Sequence, residues 1–359
     1  MFNDIVNFYK NKTVMVTGHT GFKGSWMSIW LNKMGANVIG YSKDIKTEKD
    51  NFVLSNLQEK MIDERGDIAD FNRLNSVIQK YKPEVVFHMA AQPLVKYSYM
   101  NPIETYMTNV IGTLNLLECC KNEASVKQIV IITTDKCYEN NEWEWGYREI
   151  DTLGGYDPYS SSKACVEIMA KSYRNSFFNI ANYEDHKKAV ATVRAGNVIG
   201  GGDWSENRII PDCIKSLEKD EKITIRNPNS TRPWQHVLEP ISGYLLVGYK
   251  LSENYVDYST AFNFGPEYEN VKQVEYVVKS VIKYYGKGGY EIRKENKASH
   301  EAKSLGLDIS KAKSMLGWAP IWNIDKAIEK TVEWYENYKT EDVYEMCLDQ
   351  IKQYEKQLI

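Results

Sequence analysis

The segment TVMVTGHTGFKG, residues 13–24, decides the fold. Its first five residues form a short, unbroken apolar run rich in valine and threonine, the pattern of a strand buried on both faces. Gly18, Gly21 and Gly24 follow at GxxGxxG spacing, and residues 24–34 carry a helical period. Strand, glycine turn and helix in that order give a tight bend and room for backbone amides to approach a pyrophosphate. They also put an anion site at the helix N-terminus. Gly18, His19, Gly21, Phe22 and Gly24 are therefore candidate dinucleotide-contacting residues, with His19 read as facing the pyrophosphate or packing the loop.

Outward from this loop the same alternation continues. Strand-like runs occur at residues 37–42, 84–91, 128–134 and 189–195, and helix-period segments at 72–79, 108–121 and 158–178. Alternating strands and helices imply crossover connections and a parallel sheet with helices on both faces. After about residue 196 the texture changes to short pieces punctuated by glycine and proline (NVIGGGDW, NPNSTRPW, FNFGPEY), then helical stretches at 274–285 and 324–357. The expected fold is α/β: a Rossmann-type doubly wound parallel sheet with a smaller mixed α/β substrate-binding lobe. The nucleotide-binding lobe is expected over residues 1–193 and 233–265, and the substrate lobe over 194–232 and 266–359.

The chain has 359 residues, with 45 Lys and Arg against 48 Asp and Glu, a net charge of −3. It has no basic block of the kind that neutralises phosphates, so nucleic acid is not an expected partner. No run approaches about 18 uncharged apolar residues, and charges interrupt the first twenty residues, so neither a membrane span nor a signal peptide is read. Six cysteines without a CxxC pair fit reduced thiols of a cytoplasmic protein. No His, Cys or carboxylate cluster has metal-ligand spacing, and no metal is expected. The 25 tyrosines and 9 tryptophans exceed what a core alone needs and suggest a polar, stackable pocket.

Chemistry concentrates in two motifs. In YSSSK, Tyr159 and Lys163 lie four residues apart and share a helix face. An ammonium near a phenol favours the phenolate, so the tyrosine can accept a proton from a sugar hydroxyl. In TTDKCYE, residues 133–139, a hydroxyl, an acid and a base stand together as Thr134, Asp135 and Lys136 at the carboxyl end of a strand. Neighbouring titratable groups of opposite sign look like an assignment of acid and base roles.

The three-residue spacing of the first two glycines resembles the extended short-chain dehydrogenase/reductase superfamily. By that resemblance GDIAD, residues 66–70, offers Asp67 and Ile68 to an adenine, and HMAAQPLV, residues 88–95, places Ala90, Ala91 and Gln92 beside a nicotinamide ribose. The end of the second strand reads GYSKD, with Ser42 and Lys43 before Asp44. An acid immediately after that strand would hold a ribose 2′-hydroxyl, and a base would meet a 2′-phosphate, so this position leaves NAD and NADP open. NAD is favoured because a dehydration that stores and returns one hydride needs no reducing pool.

Together, TGHTGFKGSW, FHMAAQPLV, TDKCYEN, GYDPYSSSK, RAGNVIGGGDW and RNPNSTRPWQHVLEPISGYL resemble the CDP-glucose 4,6-dehydratase family over essentially the full length. The resemblance implies oxidation at C4, elimination of water across C5 and C6, and hydride return to C6, giving CDP-4-dehydro-6-deoxy-D-glucose for dideoxysugars of a surface polysaccharide such as lipopolysaccharide O-antigen. Tyr159 is implied as the C4 base, Asp135 as the acid for the C6 hydroxyl, and Lys136 as the C5 base or the group that stabilises the enolate. The related dTDP-glucose enzymes place Asp-Glu where Asp135 and Lys136 stand. It further implies that Asn197, Arg208 and Arg232 meet the nucleotide diphosphate, and that the chain is a homodimer or homotetramer through helices 108–121 and 159–178. Arg194 is read as either a phosphate ligand or half of an internal ion pair. Trp204 and Trp234 are read as stacking or packing groups, and His236 as structural. Two other readings remain: a 4,6-dehydratase for another nucleotide sugar such as UDP-N-acetylglucosamine, and a catalytically retired NAD-binding module.

Overall fold

A computed structural model describes residues 2–293 and 305–358. Its centre is a seven-stranded, wholly parallel sheet. Six of the strands are β1 (Thr13–Thr17), β2 (Asn37–Ser42), β3 (Ile62–Arg65), β4 (Val85–His88), β5 (Gln128–Ile132) and β6 (Ala189–Ala195). The seventh, Ala261–Phe264, lies on the outer side of β6, and the spatial order is Ala261–Phe264, β6, β5, β4, β1, β2, β3. The order reverses between β1 and β4, where Val14 pairs with Val38 on one side and with Val85 on the other. That reversal is the switch point at which open α/β sheets bind ligands.

The apolar runs become strands because both sheet faces are covered. Val14, Val16, Phe87, Val130 and Val193 point into one core, and Met15, Ile39, Val86, Ile131 and Val190 into the other. The first core also takes in Leu245, Trp322, Trp334 and Tyr354, so the C-terminal helices pack on the sheet lobe rather than closing a core of their own. Trp30 Nε1 donates to Glu355 Oε1 at 2.9 Å across 325 residues.

Several expected elements change. The helical stretch at 324–357 is two helices, Ile324–Asn337 and Val343–Glu355, because Asp342 caps the second by accepting from the Glu345 amide. The expected helix at 108–121 opens with a wide π turn, Met107–Ile111, before the α-helix Gly112–Asn122. β3 (IDER) and Ala261–Phe264 were not expected as strands: β3 is a polar, half-exposed edge, and the other is short and followed by Gly-Pro. The aromatic surplus is largely packing. Trp26, Trp30, Trp334, Tyr9 and Tyr354 are fully buried, and Trp204 sits edge-on to Tyr335 and Tyr338. No helix of the described residues is long and apolar enough to cross a membrane.

A buried ion pair fastens the elements next to the switch point. Glu167, on the helix Pro158–Asn175, accepts from Arg194 of β6 at 2.8 Å and from the hydroxyls of Thr192 and Thr133. Burial alone pushes the Glu167 carboxyl up, but Arg194 and these hydrogen bonds outweigh it and hold the group below the usual carboxylate range. Removing one partner strands the other as an uncompensated buried charge, at a cost of about 3–5 kcal/mol. Glu167→Ala should therefore lower unfolding free energy by about that amount in urea titrations; an unchanged midpoint would contradict this role.

Candidate active site

The glycine turn is shaped for close backbone approach. Gly18 has φ +74°, and a Cβ there would lie 2.8 Å from the Ala90 amide nitrogen; a Cβ on Gly24 would lie 2.1 Å from the Gly18 carbonyl oxygen. The helix Phe22–Lys33 begins at Gly21 with no side-chain cap, which leaves its first amides to an anion. Thr17 Oγ1 accepts from the amides of Met89 and Ala90 at 3.1 Å, tying the loop after β4 to the glycine turn. These residues fit a dinucleotide pyrophosphate.

Of the two readings of His19, the side chain takes packing rather than the pyrophosphate. Its imidazole is fully buried, bonds Asp63 at 2.8 Å through Nε2 and packs on Phe52, beneath Gly40. Gly40 lacks the Cβ that would fill this space, so the ring turns into the sheet and only the His19 backbone belongs to the loop. Gln92 is likewise engaged internally: its amide bonds Thr105, Leu94 and the Leu94 amide, and its backbone is held at both ends by Asn109. Asp67 accepts from the Ala69 amide at 2.9 Å, and Ile68 is buried against Gly112. Ala90 and Ala91 are half-buried in the loop after β4.

The catalytic candidates converge at the carboxyl ends of β4, β5 and β6. Thr134 caps the short turn Asp135–Cys137 and donates to Asp135 Oδ1 at 2.9 Å. On the facing helix, Asp157 accepts from the Ser160 amide as N-cap and Pro158 occupies the first turn, so Tyr159 projects from the helix start. The Thr134 hydroxyl favours the ionised form of the Tyr159 phenol. One turn further on, Lys163 is buried and donates to the Ile132 carbonyl at 3.1 Å.

Burial dominates the electrostatics here. It drives the Lys163 ammonium down to about 8 and the Tyr159 phenol up to about 12, although Thr134 and Arg208 pull the phenol the other way; the expected lowering of the phenol by Lys163 is not found, because Lys163 turns to the Ile132 carbonyl and burial prevails. Burial likewise raises the Asp135 carboxyl, against the pull of Lys136, Thr134 and Arg232. Asp135 Oδ2 has no hydrogen-bond partner among the described residues, and a Cβ on Gly196 would come within 3.1 Å of it. A buried acid with one oxygen unengaged is suited to give a proton to a bound hydroxyl. Lys136 is half-buried on the same turn.

Residues 197–232 bring charge to this point. The Arg208 guanidinium acts on Tyr159 and is anchored to Asp203 at 2.8 Å, while Arg232 acts on Asp135 and donates to the Thr231 carbonyl. Asn197 is half-buried, its carbonyl accepting from the Gln235 amide at 3.0 Å. Arg194 is the inner partner of Glu167, and Trp234 and His236 are buried, so these three pack the lobe junction.

Three groups at the site were not among the expected site residues. Asn109 in the π turn donates to Ser162 at 2.8 Å and accepts from the Gln92 amide, joining the β4 loop to the Tyr159 helix. Lys23, inside GHTGFKG, feels Arg208, Lys163, Asp135 and Asp203, and burial lowers its ammonium to about 7. The buried Tyr244 hydroxyl, electrostatically coupled to Tyr159 and Asp135, lies behind them. Only Glu167, four residues after Lys163 on the same face, had a signal in its spacing.

Residues 15–331 match the family model described as GDP-mannose 4,6 dehydratase. The chain belongs to this family. Members are nucleotide-sugar 4,6-dehydratases, and the match covers β1 through most of the helix Ile324–Asn337. Among relatives of this 4,6-dehydratase, CDP-glucose 4,6-dehydratase of Salmonella typhimurium is 51% identical over 329 residues, covering 92% of each chain. Human dTDP-D-glucose 4,6-dehydratase is 28% identical over 342 residues, covering 91% of each. The crystal structure of Bacillus anthracis dTDP-glucose 4,6-dehydratase in complex with NAD superposes with TM-score 0.75 at 25% identity, covering 94% of this chain and 99% of that one.

The raised carboxyl of Asp135 has a stability consequence. A group whose folded pKa lies above its unfolded value adds stability below the unfolded pKa and loses it as pH rises through the folded one. Asp135→Asn should therefore melt higher than the parent at pH 7–8, with the gain shrinking as pH falls toward about 4. A gain of equal size at every pH would contradict the buried-acid assignment.

Proposed function

We propose that this 4,6-dehydratase acts on CDP-D-glucose with NAD, forming CDP-4-dehydro-6-deoxy-D-glucose and water. The observation that carries the reading is the buried turn of Thr134, Asp135 and Lys136 set against Tyr159. A simple oxidoreductase needs only the hydroxyl and the tyrosine, whereas elimination also needs an acid and a base. When bound, the nicotinamide supplies hydride uptake and return. The glycine turn with the first amides of the helix Phe22–Lys33, Asp67 and Ile68, and the loop at Ala90 and Ala91 hold that cofactor.

The chain's own groups do the rest. Tyr159, with Thr134 on the same oxygen and the Arg208 charge acting on it, removes the proton of the C4 hydroxyl as the carbonyl forms. The C4 ketone acidifies C5, and Lys136 takes that proton. Asp135 gives a proton to the C6 oxygen, which departs as water, and a proton returns to C5 when C6 is reduced. The net change is loss of one water. Arg208, Arg232 and Asn197 hold the diphosphate, the arginines by charge-assisted hydrogen bonds.

The CDP preference is supported by 51% identity to the Salmonella CDP-glucose enzyme over 92% of the chain. In this reading residues 1–193 with 233–265 serve the cofactor, and 194–232 with 266–359 the sugar nucleotide. The enzyme works in the cytoplasm, supplying a deoxysugar route to a surface polysaccharide such as O-antigen. Helices 108–121 and 159–178 form the contact of a homo-oligomer, the second presenting an exposed Ile168.

The test is a panel of CDP-, dTDP-, GDP- and UDP-sugars with NAD, scored by mass spectrometry for loss of one water. Loss from CDP-glucose is expected; loss only from UDP-N-acetylglucosamine, or from none, would overturn the substrate. In stopped flow with CDP-glucose, Tyr159→Phe should slow the appearance of reduced nicotinamide by about 10²-fold or more, whereas Asp135→Asn should keep that step and lose water release by a similar factor. Equal loss of both steps in Asp135→Asn would contradict the separate acid role.

A further inference from the structure

The loop 203–208 brings Arg208 to the active site. On its own side it is tied by Asp203, which accepts from the Ser205 amide at 3.1 Å and from Arg208 at 2.8 Å, and whose carbonyl accepts from the Tyr335 hydroxyl. Lys215 donates to the Trp204 carbonyl at 3.0 Å. A further tie comes from across the site: Asn207 Oδ1 accepts from Lys96 Nζ at 2.8 Å, over 111 residues of chain. Lys96 lies in the first turn of the helix Val95–Met100, which follows the loop at Ala90, Ala91 and Gln92 and packs against the helix bearing Tyr159. The bond therefore joins two walls. One holds Tyr159; the other holds Arg208, whose charge acts on Tyr159.

Two features suit this bond to opening and closing. Both side chains are exposed, so a contact between an ammonium and a neutral amide in water adds little stability and breaks readily. Asn207 also stands at φ +60°, in the left-handed region that asparagine adopts more easily than most residues. The position needs both that backbone and a side-chain oxygen, and glycine would meet the first need alone. The next residue is Arg208, which begins the helix Ile209–Glu218. A shift at Asn207 is thus passed directly to the Arg208 backbone, while the Arg208 guanidinium stays with Asp203.

We propose that Lys96 and Asn207 form a latch across the substrate cleft, with Lys96 a positioning residue that sets Arg208 through Asn207. The proposal rests on the reading of Arg208 as a diphosphate ligand and of Tyr159 as the base at the sugar, and it adds the device that keeps the two walls together while one molecule spans them. The latch opens to admit the sugar nucleotide and to release the product. Breaking it loosens the hold on the nucleotide and leaves the groups that move protons in place.

The experiment is steady-state turnover of CDP-glucose with NAD by the full chain, with KM and kcat followed separately. Lys96→Ala and Asn207→Gly are each expected to raise KM about fivefold with kcat within about twofold, and the double variant should be no worse than either single one. Asn207→Asp turns the bond into an ion pair and should lower KM about threefold at low salt, a gain that added salt removes and that Lys96→Ala abolishes. Because both residues are exposed, these variants leave the fold intact. An unchanged KM in Lys96→Ala, losses that multiply in the double variant, or an Asn207→Asp gain that survives Lys96→Ala overturns this inference alone. Failure of the parent chain to turn over CDP-glucose overturns the substrate reading and this inference with it.

Discussion

Glu167 holds the active site together from behind. Its carboxylate joins the helix that carries Tyr159 and Lys163 to Thr133 at the end of β5 and to Thr192 and Arg194 of β6. Arg194 extends the network, donating to the Tyr138 hydroxyl at 2.6 Å, and Tyr138 in turn donates to Asn263 on the outermost strand. The turn bearing Thr134, Asp135 and Lys136 lies between Thr133 and Tyr138, so it is clamped at both ends. A buried network of this kind, with each oxygen of Glu167 bonded, is rigid, and members lose a partner if one is removed. Rigidity is what the proposed chemistry requires, since a phenol, a carboxyl and an amine must address three adjacent sugar carbons in one pose.

The second constraint is the absence of side chains at Gly18 and Gly24. Backbone on backbone at these positions brings the first helix, β1 and the loop after β4 together at the switch point. Asn109 braces the same loop from the other side, and its π turn is what aims the amide at both Gln92 and Ser162. Near-neutral net charge is consistent with the proposed function, in which helix amides and a few placed arginines, not a basic surface, meet the nucleotide groups.

Much of this was legible in the sequence where local pattern and burial agree. β1, β2 and β6 lie where their apolar runs begin and end, and the helix Val274–Tyr285 where its period does. The chemistry of Thr134, Asp135, Lys136, Tyr159 and Lys163 was legible as types and spacing. What could not be read depends on partners distant in the chain. β3 pairs at a polar edge, Ala261–Phe264 exists as a strand because β6 offers it a partner, and His19 turns inward because Gly40 and Asp63 receive it. Asn109 and Tyr244 are ordinary helix residues until packing places them.

The account's central claim is that one hydrogen leaves C4 of the sugar and returns to C6 of the same molecule while Tyr159, Asp135 and Lys136 handle only protons. Turnover of CDP-glucose deuterated at C4, in ordinary water, followed by nuclear magnetic resonance of the product, tests it directly. The account predicts deuterium at C6 and none at C5. Deuterium lost to water, or retained at any other carbon, would contradict it.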